Sequence, residues 1–342
     1  MNMNAKERVR ACVAYQRVDR APAGLFGTHM EYQQGLAKYI GAPSVEAMYR
    51  ALNIDVWHSV KGLNYRREPV MYRGHEVNLP RALYDEHNPF PPFAGLNSAD
   101  ELPAFPPVCP DDFEDVDYSD ELDSHSEFFI CGGINAAVFH NYLYMCGQLD
   151  GLCYLKTMPD TARVIITMIT DYWAAYLTKL LRVARGRVDM IENCNDFGTQ
   201  TSMFISRDDF NCFFRPQLKR LYDIVRREGL VMMQHSCGAV SPILDDFIDM
   251  GAQVLNPIQV TARDMELTDV VDRYRGRIAF YGGIDTQYVL PQGPEELIRD
   301  TTRAALKLFG KGGGFILSAS QGFMDDIPFR HAAAMLDPAL RR

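Results

Sequence analysis

Leu230-Val-Met-Met-Gln-His-Ser-Cys-Gly238, Ala252-Gln-Val-Leu-Asn-Pro257 and Arg277-Ile-Ala-Phe-Tyr-Gly-Gly283 decide the fold. Each is a short apolar run that stops at polar or glycine residues. Between them lie Pro242 to Met250 and Met265 to Tyr274, both with helical spacing of apolar residues. Strands alternating with helices imply parallel pairing and right-handed crossovers.

The rhythm extends both ways. Upstream, Arg187-Val-Asp-Met-Ile191 reads as a strand. A helix from Arg207 to Arg227 follows it, kinked at Pro216 and ended by Gly229. Downstream, Pro294 to Phe309 reads as a helix, Gly313-Gly-Phe-Ile-Leu317 as a strand, and Pro328 to Met335 as a last helix. The front half is less regular. Ala5 to Tyr15 is an amphipathic helix, and Ala23-Gly-Leu-Phe26, Ile54-Asp-Val-Trp57 and Phe128-Phe-Ile-Cys131 are strands. Helical sequence runs from Ala136 to Arg185. Three strands ahead of five give the (β/α)8 TIM barrel count, within one domain spanning 1–342. The alternative is a doubly wound sheet, which lacks its Gly-rich turn after the first strand. A long excursion separates the second and third strands. It holds a hairpin turning at Gly74 and a Pro-, Asp- and Glu-rich stretch, 86–125, read as a surface excursion shaping the barrel mouth, with the Asp/Glu run Asp111 to Asp123 as a solvated loop.

Composition narrows the function. A net charge of −9 with no Lys/Arg run argues against nucleic acid as a partner. The first residues lack the apolar core of a secretory signal, and no stretch approaches a membrane span in this reading. A cytoplasmic location with reduced thiols is therefore expected for the 8 cysteines. Oligomeric state is not specified, and a homo-oligomer is compatible with the sequence.

Barrel enzymes work at the C-terminal ends of their strands. That rule selects His29 after the first strand, His58 after the second and Asn135 after the third. It selects Glu192, Cys194, Asn195 and Asp196 after the fourth, and His235 and Cys237 after the fifth. The last three strands supply Asn256 and Gln259, Asp285 and Gln287, and Gln321. No nucleophile elbow or phosphate loop is among them. His235-x-Cys237 offers imidazole nitrogen and thiolate sulfur, the donors zinc prefers. The plainer reading is a buried His beside a packed Cys. Asp196 and Asp285 are candidate catalytic carboxylates, and each is also placed to form a turn. His29, His58, Asn195, Gln259 and Gln287 are candidates for holding substrate, and otherwise hydrogen-bonded structural groups.

Several motifs together resemble the uroporphyrinogen decarboxylase superfamily, within it the cobalamin-dependent methyltransferase-like branch. They are Asn195-Asp-Phe-Gly-Thr-Gln200, His235-Ser-Cys-Gly238, Leu255-Asn-Pro-Ile-Gln259, Phe280-Tyr-Gly-Gly-Ile-Asp-Thr-Gln287 and Gly312-Gly-Gly-Phe-Ile-Leu317. Glu7-Arg-Val-Arg-Ala-Cys-Val13 and Asp19-Arg-Ala-Pro22 add to them. The resemblance implies a (β/α)8 barrel. It also implies a methyl group moved between a small methylated substrate and a corrinoid carried by a separate protein. Decarboxylases of the superfamily carry arginines after the first strand. Gly24-Leu-Phe-Gly-Thr-His-Met-Glu-Tyr-Gln-Gln34 has none. The methyltransferase pattern uses His-x-Cys and a distant Cys to hold Zn2+. His235 and Cys237 match it, and Gln321 stands where the third ligand is expected. Glutamine is a poor zinc ligand, so the expectation is either a weak zinc site or one completed by Cys194, Glu192 or substrate. The rival expectations are a metal-independent decarboxylase or lyase acting on a small acid, and a degenerate, non-catalytic barrel.

Overall fold

The computed structural model describes residues 3–59, 62–84, 90–133, 136–310 and 312–341. Asn135 lies outside them. Among the described residues there are nine strands: β1 (Val56–Ser59), β2 (Val70–Tyr72), β3 (His75–Val77), β4 (Phe129–Gly133), β5 (Met190–Cys194), β6 (Val231–His235), β7 (Val254–Asn256), β8 (Ala279–Tyr281) and β9 (Phe315–Ile316). β2 and β3 form the expected hairpin, Tyr72 facing His75 across Arg73-Gly74, both at positive φ. The other seven make one parallel sheet in the order β1-β4-β5-β6-β7-β8-β9.

The expected first strand is the exception. Ala23–Phe26 forms no ladder, only two isolated parallel bridges, Ala23 with Leu317 and Gly24 with Val56. These touch opposite edges of the sheet. Gly24 N donates to Leu317 O at 3.0 Å, and Val56 N donates to Ala23 O at 3.1 Å. The segment is thus held by both edges. Gly24 is required there, since a Cβ would lie 1.8 Å from the Tyr281 hydroxyl.

Side-chain alternation along the strands sorts the interior into two cores. Trp57, Ile130, Ile191, Met232, Leu255, Phe280 and Phe315 face outward into the larger cluster under the helices. Val56, Phe129, Met190, Val231, Val254, Ala279 and Ile316 face inward into a smaller one. The N-terminal helix, Ala5–Val13, contributes Val9 and Cys12 to that inner core. Its start is fixed by a capping box between Asn4 and Glu7. An ion network ties it down. Arg8 pairs with Asp19 and Asp55 at 2.7 Å each, and Arg20 pairs with Asp55 at 2.7 Å.

Strands run further C-terminally than their apolar residues suggest. β5 continues through Glu192 to Cys194, β6 through Gln234 to His235, and β7 to Asn256. The helical stretch from 136 to 185 is three helices, Val138–Cys146, Gln148–Thr157 and Pro159–Ala184. The last is long and apolar enough to cross a membrane by composition, unlike the sequence reading, but 61% of that window is buried in the fold. The kink expected at Pro216 is a π-helical turn, Phe210–Phe214, just ahead of the Arg215–Arg227 helix. The acidic run is largely solvent-exposed, as expected, and is also tied down by ion pairs. Asp112 pairs with Arg67, Asp115 with Lys179 and Asp123 with Arg187.

Candidate functional site

His235 ends β6 with its side chain inside the curl of the sheet and is only 4% exposed. Its Nδ1–H donates to Asn256 Oδ1 at 2.6 Å, and Asn256 Nδ2 donates to Tyr281 O at 2.9 Å. The second bond orients the amide, so the first selects the imidazole tautomer. Nε2 is left to face three heteroatom side chains. Asp196 Oδ1 is 3.3 Å away and Cys237 Sγ 3.4 Å. Cys194 joins them: one donor atom from each of Cys194, Asp196 and His235 lies within 4.8 Å of the others. Phe26 stacks on the imidazole with centroids 4.8 Å apart.

The local backbone explains this convergence. Cys237 N donates to Asp196 Oδ1 at 2.7 Å, and Phe197 N donates to Ser236 Oγ at 3.1 Å. The two loops touch backbone to backbone. A Cβ on Gly238, whose φ is +83°, would lie 2.4 Å from the Gly198 carbonyl. Phe197 anchors the Asp196 loop by stacking on Phe139 at 5.0 Å and meeting Phe210 edge-on at 4.9 Å.

Electrostatics follow from burial and these neighbours. Burial opposes charge on His235, but Cys194, Asp196 and Cys237 outweigh it and hold the imidazole well above its usual range. Burial likewise opposes charge on Asp196, and the His235 hydrogen bond overcomes it, holding the carboxyl low. Burial pushes the Cys194 thiol up to about 11 and raises Glu192. It pulls His58 down to about 4, so that ring is neutral at pH 7.

A cavity of about 680 Å3 opens beside this cluster. His29, His58, Glu192, Cys194, His235 and Gln321 line it, with Phe26 and Trp57 among its aromatic walls. No Lys or Arg is among its described lining residues.

Residues 123–341 match the family described as Uroporphyrinogen decarboxylase (URO-D). That is well over half of the chain. The chain belongs to the uroporphyrinogen decarboxylase (URO-D) family. No curated protein matches it. A solved structure of a methyltransferase from Methanosarcina mazei is similar in fold. It has a TM-score of 0.64 and 15% identity, and the match covers 98% of this chain and 97% of that one.

In this URO-D chain the cavity gathers some sequence candidates and leaves others aside. Asp285 is a turn former: its carboxylate accepts from the N–H groups of Gln287, Tyr288 and Val289, each at 2.9 Å. Asn195 is wholly buried. It accepts from Phe139 N at 2.9 Å and donates to Ala136 O at 2.8 Å. Gln259 accepts from Gly238 N at 2.8 Å, bracing the Cys237 loop from behind. Gln287 accepts from Thr261 Oγ1 at 2.7 Å. None of these four lines the cavity. Gln321 does, with its amide Nε2–H directed at Cys237 Sγ, 2.5 Å away. It meets the sulfur as a hydrogen-bond donor. Sequence reasoning missed Phe26 and Tyr281. Both read as ordinary core aromatics, and only the curl of the sheet brings them against His235 and His58.

The donor set can be tested against zinc. A tetrahedral ion with nitrogen at about 2.0–2.1 Å and sulfur at about 2.3 Å has ligands about 3.3–3.8 Å apart. The distances of 3.3 and 3.4 Å from His235 Nε2 fall in that range. Imidazole, thiolate and carboxylate are also zinc's usual donors. Cys194, Asp196 and His235 form a set of mutually close donors of the kind zinc takes, and Cys237 adjoins it through His235 alone.

Proposed function

We propose that this protein is a methyltransferase-like enzyme that moves a methyl group between a small methylated substrate and a corrinoid carried by a partner protein. The observation that carries this reading is the single imidazole nitrogen of His235 facing Cys237, Cys194 and Asp196 beside the cavity. Family membership and the fold shared with a methanogen methyltransferase support it. We read the segment 22–24, bonded to both sheet edges, as the eighth stave of a complete (β/α)8 barrel, with the excursion at its mouth.

Zn2+ held by His235 with two of Cys237, Cys194 and Asp196, one position being left for substrate, would supply Lewis-acid polarisation of the heteroatom that carries the methyl group. The chain's own residues prepare that step. Asn256 takes the Nδ1 proton of His235, so that Nε2, once it loses its own proton, is the nitrogen that would face the ion. The Cys237 N–H and the Gly198–Gly238 contact hold Asp196 in place. Gln321 donates to Cys237 Sγ and so tempers its charge. Phe26 shields the imidazole from solvent on one face. His29 and His58 line the cavity as candidate substrate contacts.

The test is spectroscopic. The purified protein, with a panel of methyl thioethers, ethers and amines, should convert cob(I)alamin to methylcob(III)alamin. Cys237→Ser should slow the conversion by about 100-fold or more. Conversion untouched by that substitution and by a chelator would remove the metal from the mechanism. Release of CO2 from a small acid without methyl transfer would replace this reading with the lyase.

A further inference from the structure

β1 and β4 place His58 beside Cys131 in register, and Glu192 follows on the neighbouring β5. All three face inward. One donor atom from each lies within 4.8 Å of the other two. Among the described residues, no hydrogen bond engages the Glu192 carboxylate or the Cys131 thiol. Cys131 is buried, and Glu192 is half-buried with its carboxylate at the cavity wall. His58 and Glu192 also line the cavity, so an ion can reach them from outside. The Tyr281 hydroxyl stands 2.9 Å from His58 Nε2 and offers an oxygen nearby.

We propose that His58, Cys131 and Glu192 form a second metal site for a divalent cation of the zinc type, distinct from the His235 cluster. One imidazole, one thiolate and one carboxylate match a borderline-soft ion and not magnesium or calcium, which favour all-oxygen shells. The charges balance as well. Thiolate and carboxylate together cancel a 2+ ion, so the filled site is neutral in an apolar surrounding. Only one residue separates Glu192 from Cys194 on β5, so the two sites share a strand. The inference does not depend on methyl transfer, since it concerns binding alone.

Metal counting tests it on the full chain. Zinc-stripped protein is dialysed against Zn2+ and assayed by elemental analysis, with Co2+ absorption as a second readout for thiolate ligation. Wild type should bind about two equivalents, and His58→Ala or Glu192→Gln about one. Cys237→Ser should also retain about one, which adding His58→Ala should reduce below about one-tenth. The isosteric Glu192→Gln carries the test if the alanine variant does not fold by circular dichroism. About one equivalent in wild type, unchanged by His58→Ala and Glu192→Gln, would overturn this site and leave the His235 site standing. One equivalent that Cys237→Ser retains and His58→Ala abolishes would do the reverse.

Discussion

Asn256 is the residue on which His235 depends most directly. Its Oδ1 takes the Nδ1 proton at 2.6 Å, and its own amide is pinned by Tyr281 O. Removing that acceptor frees the imidazole to rotate and to change tautomer, without touching any donor of the cluster. Asn256→Ala should weaken zinc binding at the His235 site by about 10- to 100-fold, the usual range for such outer partners. Chelator competition measures this. Unchanged affinity would mean that the ring is held by its stack on Phe26 instead. Gly238 is a second sensitive point. Its φ of +83° and its contact with the Gly198 carbonyl leave no room for a methyl group. Gly238→Ala should cost about 1–3 kcal/mol and displace the Cys237 loop. Thermal unfolding reads the first effect and metal affinity the second.

At the scale of elements, the N-terminal helix and the strand ends divide two tasks. The helix closes the N-terminal end of the sheet through the Arg8 network, and its chemistry is stability. Arg8 hydrogen bonds hold the Asp19 carboxyl well below its ordinary value, against the opposing effect of burial. A lowered carboxyl contributes stability that is fully present above the unfolded value, about 3.9, and is lost as pH falls toward the folded one. Wild type should therefore lose stability steeply below about pH 4. Asp19→Asn should be about 1–3 kcal/mol less stable at pH 7 and flatter with pH in that acid window. Urea unfolding at stepped pH checks both, and parallel curves for the two proteins would refute the assignment. The strand ends carry the candidate donors instead. Glu192, Cys194, His235 and Asn256 all lie within ladders, beyond the last apolar residue of their strands.

For the whole molecule, the decisive feature is a cavity of about 680 Å3 with carboxylates, one thiol and imidazoles but no Lys or Arg among its described lining residues. A multiply acidic tetrapyrrole would enter it without a countercharge. Incubation with uroporphyrinogen should yield no coproporphyrinogen at an enzyme-like rate, and its appearance would refute this. The proposed exchange with a corrinoid protein needs an accessible mouth. The excursion reaches toward it, Glu121 accepting from the Ser59 hydroxyl at 2.7 Å at the end of β1. Hydrogen exchange around 63–125 should slow in the presence of a saturating corrinoid partner. Unchanged protection there would count against docking at this face.

How much of this was legible in the chain follows from range. Local periodicity and punctuation reveal strands and helices, so the alternation from 187 to 336 could be read directly, and the parallel sheet with it. The pairing of His235 with Cys237 was legible because both sit on one short segment. Strand ends were not, because a polar residue facing a cavity looks the same in sequence as one leaving the sheet. The roles of the remaining candidates were out of reach for a related reason. Asp196 and Asp285 are each followed by turn sequence, yet one meets an imidazole from the next strand and the other is consumed by three local amides. Cys194 and Glu192 face the same interior but join different partners, because neighbouring strands bring His235 to one and His58 with Cys131 to the other. The sequence by itself determined the order of elements and the kinds of donor at their ends. Only the tertiary structure decided which donors meet, because curling the sheet joins residues more than 100 positions apart within hydrogen-bonding distance, as His58 and Tyr281 are, 223 positions apart.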